Sequence, residues 1–274
     1  NIMGTAIGYN AKAKNDYATA VGYSSTGSGN QSSAFGFNAE ATAMNTTAVG
    51  SYANASGAYS TALGFKTAAS NEDSVALGNY STSAGKSAFA AGTLAKAAEK
   101  DSLAIGHSAT TTKENGIAIG TNAMAVTDNS IALGAKSVTD TAVSTSSGVI
   151  GGRTYSFTGG NAVGTLSIGD SGAERTITNV AAGRVSATST DAVNGSQLHA
   201  IKDVVDNHEN RITTIEGDIN TLNNRIINGG ANSLNEAKAY TDQQVSSVAA
   251  ASAALAGLHP LDFDKHDKWS YSVG

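Results

Sequence analysis

No cysteine occurs in the chain, which excludes disulfide stapling and cysteine-ligated zinc or iron–sulfur sites. No run of eighteen apolar residues occurs either, so nothing in the sequence spans a membrane as a helix. Lysine and arginine form no stripe, and the net charge is −5 with a pI of about 5.5, which argues against a nucleic-acid partner. Catalytic signatures are missing too: no HExxH, no Walker loop, no Gly-x-Ser-x-Gly elbow and no cysteine nucleophile. The carboxylates are scattered. Even a glycan-cleaving β-solenoid would need longer turns and clustered acids. The sequence points to no enzyme, no cofactor and no metal.

What the chain has instead is a period. Gly8, Gly22, Gly36, Gly50, Gly64, Gly78, Gly92, Gly106, Gly120 and Gly134 stand fourteen residues apart, and an alanine precedes each by two positions. Between alanine and glycine stands Ile7, Val21, Phe35, Val49, Leu63, Leu77, Ala91, Ile105, Ile119 or Leu133. A fixed short period marks stacked repeats, each too small to bury its own apolar face. Fourteen residues are too few for a helical repeat but suffice for two short strands and two tight turns. Thr61-Ala62-Leu63-Gly64 reads as a strand with Leu63 pointing inward, and the glycine ending it fits a positive φ or a close backbone approach. A small-residue pair follows, for example Ala53 and Ala55, on one face of a second strand. That face and the alanine before each glycine would then be left uncovered, so the coil should need other copies of itself.

The chain divides into five stretches. Residues 1–139 hold the repeats. Residues 140–190 form a β-rich connector with strand-like Arg153-Thr154-Tyr155-Ser156-Phe157-Thr158 and Val163-Gly164-Thr165-Leu166-Ser167-Ile168-Gly169. From 191 to 228 the period turns helical: Leu198, Ile201, Val205, His208, Ile212, Ile215, Ile219, Leu222 and Ile226 alternate steps of three and four. That is a coiled-coil seam, and isoleucine at both seam positions favours trimers or higher. Gly229-Gly230 is expected to break the helix, with a second helical, alanine-rich stretch over 229–258. Residues 259–274 form a terminal piece. The start at Asn1-Ile2-Met3-Gly4, already in register, reads as processed or engineered.

These residues resemble a family. Asp73-Ser74-Val75-Ala76-Leu77-Gly78 and Asn129-Ser130-Ile131-Ala132-Leu133-Gly134 are similar to the head repeats of YadA-type trimeric autotransporter adhesins. Residues 175–198, Arg-Thr-Ile-Thr-Asn-Val-Ala-Ala-Gly-Arg-Val-Ser-Ala-Thr-Ser-Thr-Asp-Ala-Val-Asn-Gly-Ser-Gln-Leu, resemble the family's neck. Residues 249–274, with Leu258-His259-Pro260-Leu261-Asp262-Phe263-Asp264 and Lys268-Trp269-Ser270-Tyr271-Ser272-Val273-Gly274, resemble the start of its membrane anchor. The resemblance implies a homotrimer of left-handed parallel β-rolls, joined through the neck to a trimeric α-helical coiled coil. It also implies a Gram-negative outer-membrane surface protein, anchored by a twelve-stranded barrel to which each chain gives four strands. This chain would stop within the first of those strands and be soluble. Host partners implied are collagen, fibronectin, laminin or a CEACAM-type receptor. The alternative is a structural or self-association module without a receptor, acting in autoagglutination or biofilm.

Candidate sites follow from placement. Residues 1–80 hold nine aromatics and 81–139 only Phe89. Tyr9, Tyr23, Phe37 and Phe65 each follow a repeat glycine and should stack as a ladder near the tip; with Tyr52 and Tyr80 they form the candidate receptor-binding set. The plainer reading is a ladder that stabilises the roll. His208, alone among isoleucines in the seam, either tunes register or forms a three-histidine ring that holds an ion on the axis. Arg153, Arg175 and Arg184, set among Asp170, Glu174 and Asp191, are expected to pair between chains and lock the neck. Asp262, Asp264, His266 and Asp267 look like a metal cluster but read as a solvated end.

Overall fold

The computed structural model describes residues 3–257, in two units that divide after Ala192. The anchor-like residues 259–274, with Asp262, Asp264, His266 and Asp267, lie outside the described residues.

The first unit is a parallel β-solenoid of fourteen-residue coils. Each coil gives a three-residue strand, such as Thr61–Leu63, and a two-residue strand, such as Ala68–Ala69. The first kind stack in one sheet and the second kind in another, the ten repeat coils pairing in parallel and in register at fourteen residues, as in Thr61↔Val75 and Ala68↔Thr82. Backbone hydrogen bonds run from coil to coil, for example from the Gly64 N–H to the Val49 carbonyl at 2.8 Å.

The inward side of each strand is the reverse of the sequence expectation. Ala62 is fully buried, whereas Leu63 is 48% exposed. The two sheets lie so close that only glycine, alanine, serine and threonine fit between them. The column from Ala20 to Ala132 meets Ala41, Ala55, Ala69, Ala97 and Ala125 from the second sheet, all fully buried. The small residues thought to be uncovered are therefore the core. The outward face of the first sheet carries the bulky residues instead, including Ile7, Phe35, Leu63, Ile105 and Leu133. The outward position two residues earlier changes character along the stack. It reads Thr5, Thr19, Ser33, Thr47 and Thr61, then Val75, Phe89, Leu103, Ile117 and Ile131.

Buried hydroxyls are tied to backbone, for example Ser83 Oγ donating to the Ala88 carbonyl at 2.8 Å and Ser74 Oγ to the Asn71 carbonyl at 2.7 Å. Among the described residues only Ser32 Oγ is buried without a partner.

The turns follow a rule the sequence hides. Twenty non-glycine residues spaced seven apart, from Met3 to Lys136, have left-handed backbone, for example Tyr52 (φ 58°) and Tyr59 (φ 61°). Sixteen of them sit third in a four-residue turn closed by a backbone hydrogen bond, as from the Ala53 N–H to the Gly50 carbonyl, in the pattern of a type II turn. A coil is thus two seven-residue halves with equivalent corners.

After Thr139 the chain leaves the stack and returns. Leu166–Ser167 pairs with Ile131–Leu133 at a separation of 35 residues (166 − 131), an eleventh coil interrupted by 21 residues (35 − 14). The excursion carries an antiparallel hairpin, Ser147–Ile150 with Arg153–Ser156, turned by Gly151 and Gly152, both left-handed.

The second unit holds one helix, Gly195–Gly257, of 63 residues. It starts four residues after the position expected, because Asn194 caps it. The Gln197 N–H donates to Asn194 Oδ1 at 3.3 Å and the Asn194 N–H to Gln197 Oε1 at 3.2 Å, a capping box. The break expected at Gly229-Gly230 is absent. Two glycines cost about 2 kcal/mol of helix propensity, less than the flanking turns supply once the helix is packed. No residue of the helix is buried, and its seam residues Ile212, Ile215 and Ile219 are half exposed.

Candidate recognition surface

All six aromatic candidates meet on one edge of the solenoid. Tyr9, Tyr23, Phe37 and Phe65 occupy the second position of the glycine-led turns, and Tyr52 and Tyr80 the third. The alternation does not interrupt the ladder, because both positions project from the same corner. Tyr9 stacks on Tyr23 and Tyr23 on Phe37, each with centroids 5.2 Å apart. Phe37–Tyr52, Tyr52–Phe65 and Phe65–Tyr80 continue edge to face at 5.3, 6.2 and 5.3 Å. Exposure runs from 75% at Tyr9 to 37% at Phe65, so the rings support each other while presenting edges and phenolic hydroxyls to solvent. Aromatic pairs in such contacts contribute about 0.5–1.5 kcal/mol each, a magnitude that suits the plainer reading of a ladder that stabilises the roll.

One residue of this edge was not singled out in the sequence. The Lys66 ammonium lies over Tyr52, Phe65 and Tyr80, at 5.8, 5.3 and 5.5 Å from their centroids. Its sequence signal is its place as the third residue of the turn led by Gly64, in register with Tyr52 and Tyr80.

The opposite edge is polar. Lys86 Nζ pairs with Glu72 Oε2 at 2.6 Å across adjacent coils, and that hydrogen bond raises the lysine pKa. Asn115 Nδ2 donates to Asn129 Oδ1 at 3.0 Å. Tyr17 and Tyr59 belong to this edge.

Of the arginines and acids of the connector, Arg184 and Asp191 pair within the chain. Arg184 holds Asp191 through two side-chain bonds of 2.7 and 3.0 Å, and its N–H adds a third at 3.0 Å. The side-chain bonds lower the Asp191 pKa and raise that of Arg184. Arg175 closes the end of the roll, donating to Ser137 Oγ at 3.1 Å, to the Ala135 carbonyl at 2.5 Å and to the Ile168 carbonyl. Glu174 is held low by backbone N–H groups, its own first and then that of Gly172. His208 is exposed on the helix. Among the described residues no group of three potential ligands could hold a metal ion, and no helix is long and apolar enough to cross a membrane.

Family models agree with this geometry. The YadA head domain repeat matches residues 2–25, 28–53, 55–81, 83–109 and 112–137, and the coiled stalk of trimeric autotransporter adhesin matches 176–221. The chain belongs to the trimeric autotransporter adhesins. These adhesin families are binding and stalk proteins, not enzymes. Autotransporter adhesin BtaE of Brucella suis biovar 1 is 56% identical over 71 residues, which are 26% of this adhesin and 10% of that relative. Among solved structures, the collagen-binding domain of the Yersinia adhesin YadA is 25% identical, with a TM-score of 0.45 over 74% of this chain and 99% of that one. The C-terminal YadA-like domain of BPSL2063 from Burkholderia pseudomallei is 44% identical, with a TM-score of 0.38 over 38% of this chain and 50% of that one.

Proposed function

We propose that the chain is a bacterial surface adhesin whose trimeric head binds a host cell-surface receptor or extracellular-matrix protein through the aromatic edge. The observation that carries this reading is the unbroken ladder of six exposed rings, in contact from Tyr9 to Tyr80 along one edge of the head. Aromatic side chains bring large contact area at low conformational cost and dominate interface energetics. Three copies of the edge on one head would act together on a clustered receptor.

The trimer itself would cover what the single chain leaves open. The outward apolar positions of the first sheet, densest from Val75 to Leu133, would pack chain against chain, and the half-exposed helix seam would do the same. On this reading residues 140–190 act as connector and neck, 191–228 and 229–258 as two parts of one stalk, and 259–274 as the start of an outer-membrane anchor. His208 sits in the seam as a residue that sets register; an ion on the axis between three copies is the competing role.

Biolayer interferometry of the purified chain against collagens, fibronectin, laminin and CEACAM ectodomains tests the reading. The expected result is saturable binding to one of them. No saturable binding by confirmed trimers, together with association between heads, would replace receptor adhesion by self-association.

A further inference from the structure

The outward face of the first sheet changes half-way along the stack. With the coils counted by their glycines, Gly8 to Gly134, coils one to five each present one bulky apolar side chain, from Ile7 to Leu63. Two residues before it stands threonine or serine, from Thr5 to Thr61. Coils six to ten place Val75, Phe89, Leu103, Ile117 and Ile131 at that earlier position. Residues two apart on a strand share a face, and the parallel register stacks each position on its equivalent in the next coil, as in Val75↔Phe89 and Ile117↔Ile131. The lower half therefore carries a second apolar row beside the first, where the upper half carries a row of hydroxyls. Burying branched apolar side chains against another chain is favourable, whereas burying a hydroxyl without a partner costs free energy. The break falls between Thr61 and Val75.

The aromatic edge changes at the same place. Ring contacts run from coil to coil from Tyr9 to Tyr80, through coils one to six, and Lys66 adds its ammonium over the last three rings. From there to Thr139 the solenoid has one aromatic residue, Phe89, and it lies on the sheet. In a stack of repeats, stability is the sum of each coil's own terms and its contacts with neighbours. The upper coils draw their extra contacts from their own chain. The lower coils instead hold out Val75, Leu103 and Ile117, which their own chain buries only in part. The two features exchange at coil six, which carries both Val75 and Tyr80.

We infer that three copies of the chain clamp to one another through the first-sheet face of coils six to ten and part over coils one to five. The partner of the doubled apolar rows is the same face of the other copies, turned towards a common axis. Each upper roll stands by its own ladder, and the three aromatic edges move independently while the lower clamp holds the trimer. The inference rests on the proposed packing of the first sheets chain against chain, not on any receptor, and divides that contact into a closed part and an open part.

The test measures distances between equivalent sites in the trimer of the full chain by double electron–electron resonance. The chain has no cysteine, so one introduced cysteine places one spin label on each copy. Asn30 and Glu114 are both exposed and hold the same turn position on the edge opposite the ladder, in the turns that precede coils three and nine. Glu114→Cys is expected to give one narrow distance distribution, and Asn30→Cys a broad one shifted to longer distances. Equally narrow distributions at both sites would overturn the inference and leave the packing of the first sheets standing. Broad distributions at both, in chains shown by light scattering to be trimers, would overturn that packing as well. Thr19→Val, Thr47→Val and Thr61→Val together extend the second apolar row upward at nearly constant side-chain shape, and circular dichroism of this variant should match the parent chain. With these three changes the Asn30→Cys distribution should shorten and narrow towards that of Glu114→Cys. An unchanged breadth would overturn the inference, because the hydroxyl row would then not be what keeps the upper coils apart.

Discussion

A Cβ placed on Gly50 would lie 2.3 Å from the carbonyl oxygen of Gly64 in the next coil, and Gly50 itself has a φ of 132°. The repeat glycine is therefore required twice, for its backbone conformation and for the closeness of the neighbouring coil. Gly50→Ala is expected to destabilise each chain by about 2 kcal/mol or more. Thermal unfolding followed by circular dichroism checks this, and an unchanged midpoint would contradict it.

The opposite sign is expected at Leu94. It is half exposed, left-handed at φ 60°, and outside the aromatic ladder. Leu94→Asn relieves an unfavourable conformation and should stabilise the chain by about 1 kcal/mol. A lower unfolding midpoint would show that Leu94 packs against something worth more than the strain.

Glycine register, strand pairing and the ladder were legible in the sequence because each depends on spacing alone. The inward and outward sides were not. Leu63 looks like a core residue by hydrophobicity, and Ala62 looks like filler, until the thinness of the coil decides that only Ala62 fits inside. The second turn rule was half visible: Asn38, Asn45, Asn115, Asn122 and Asn129 fall on left-handed positions, but Tyr52, Tyr59 and Leu94 conceal the seven-residue spacing. The eleventh coil was hidden by the 21 residues that separate Leu166-Ser167-Ile168-Gly169 from its register. Gly229 and Gly230 misled because propensity is a weak prior in a long helix.

The helix exposes its whole seam as a single chain, so its order depends on assembly. Ile215→Asp with Ile219→Asp should remove much of the helical signal at 222 nm while the solenoid remains folded. A helical signal unaffected by both charges would contradict a coiled-coil stalk.

Asp191 is held below its ordinary carboxylate range, first by the Arg184 side chain and then by the Arg184 N–H. A carboxylate with a depressed folded pKa contributes stability above its unfolded value and loses it as the pH falls through the folded one. Asp191→Asn should therefore lower the unfolding midpoint at neutral pH. The difference from the parent chain should close in acid, below the ordinary carboxylate range. A gap that stays constant with pH would remove the ion pair from the account.

The most direct measurement compares two surface variants for binding to whichever host protein the parent chain captures. One replaces Tyr9, Tyr23 and Phe37 by serine; the other replaces Tyr17 and Tyr59 on the opposite edge. The first breaks three ring pairs, a loss of about 1.5–4.5 kcal/mol per chain, so both must first be shown to be folded trimers. The account predicts that the ladder variant loses binding by about tenfold or more while the opposite-edge variant keeps it. Full binding by a folded ladder variant would contradict the assignment of recognition to the aromatic edge.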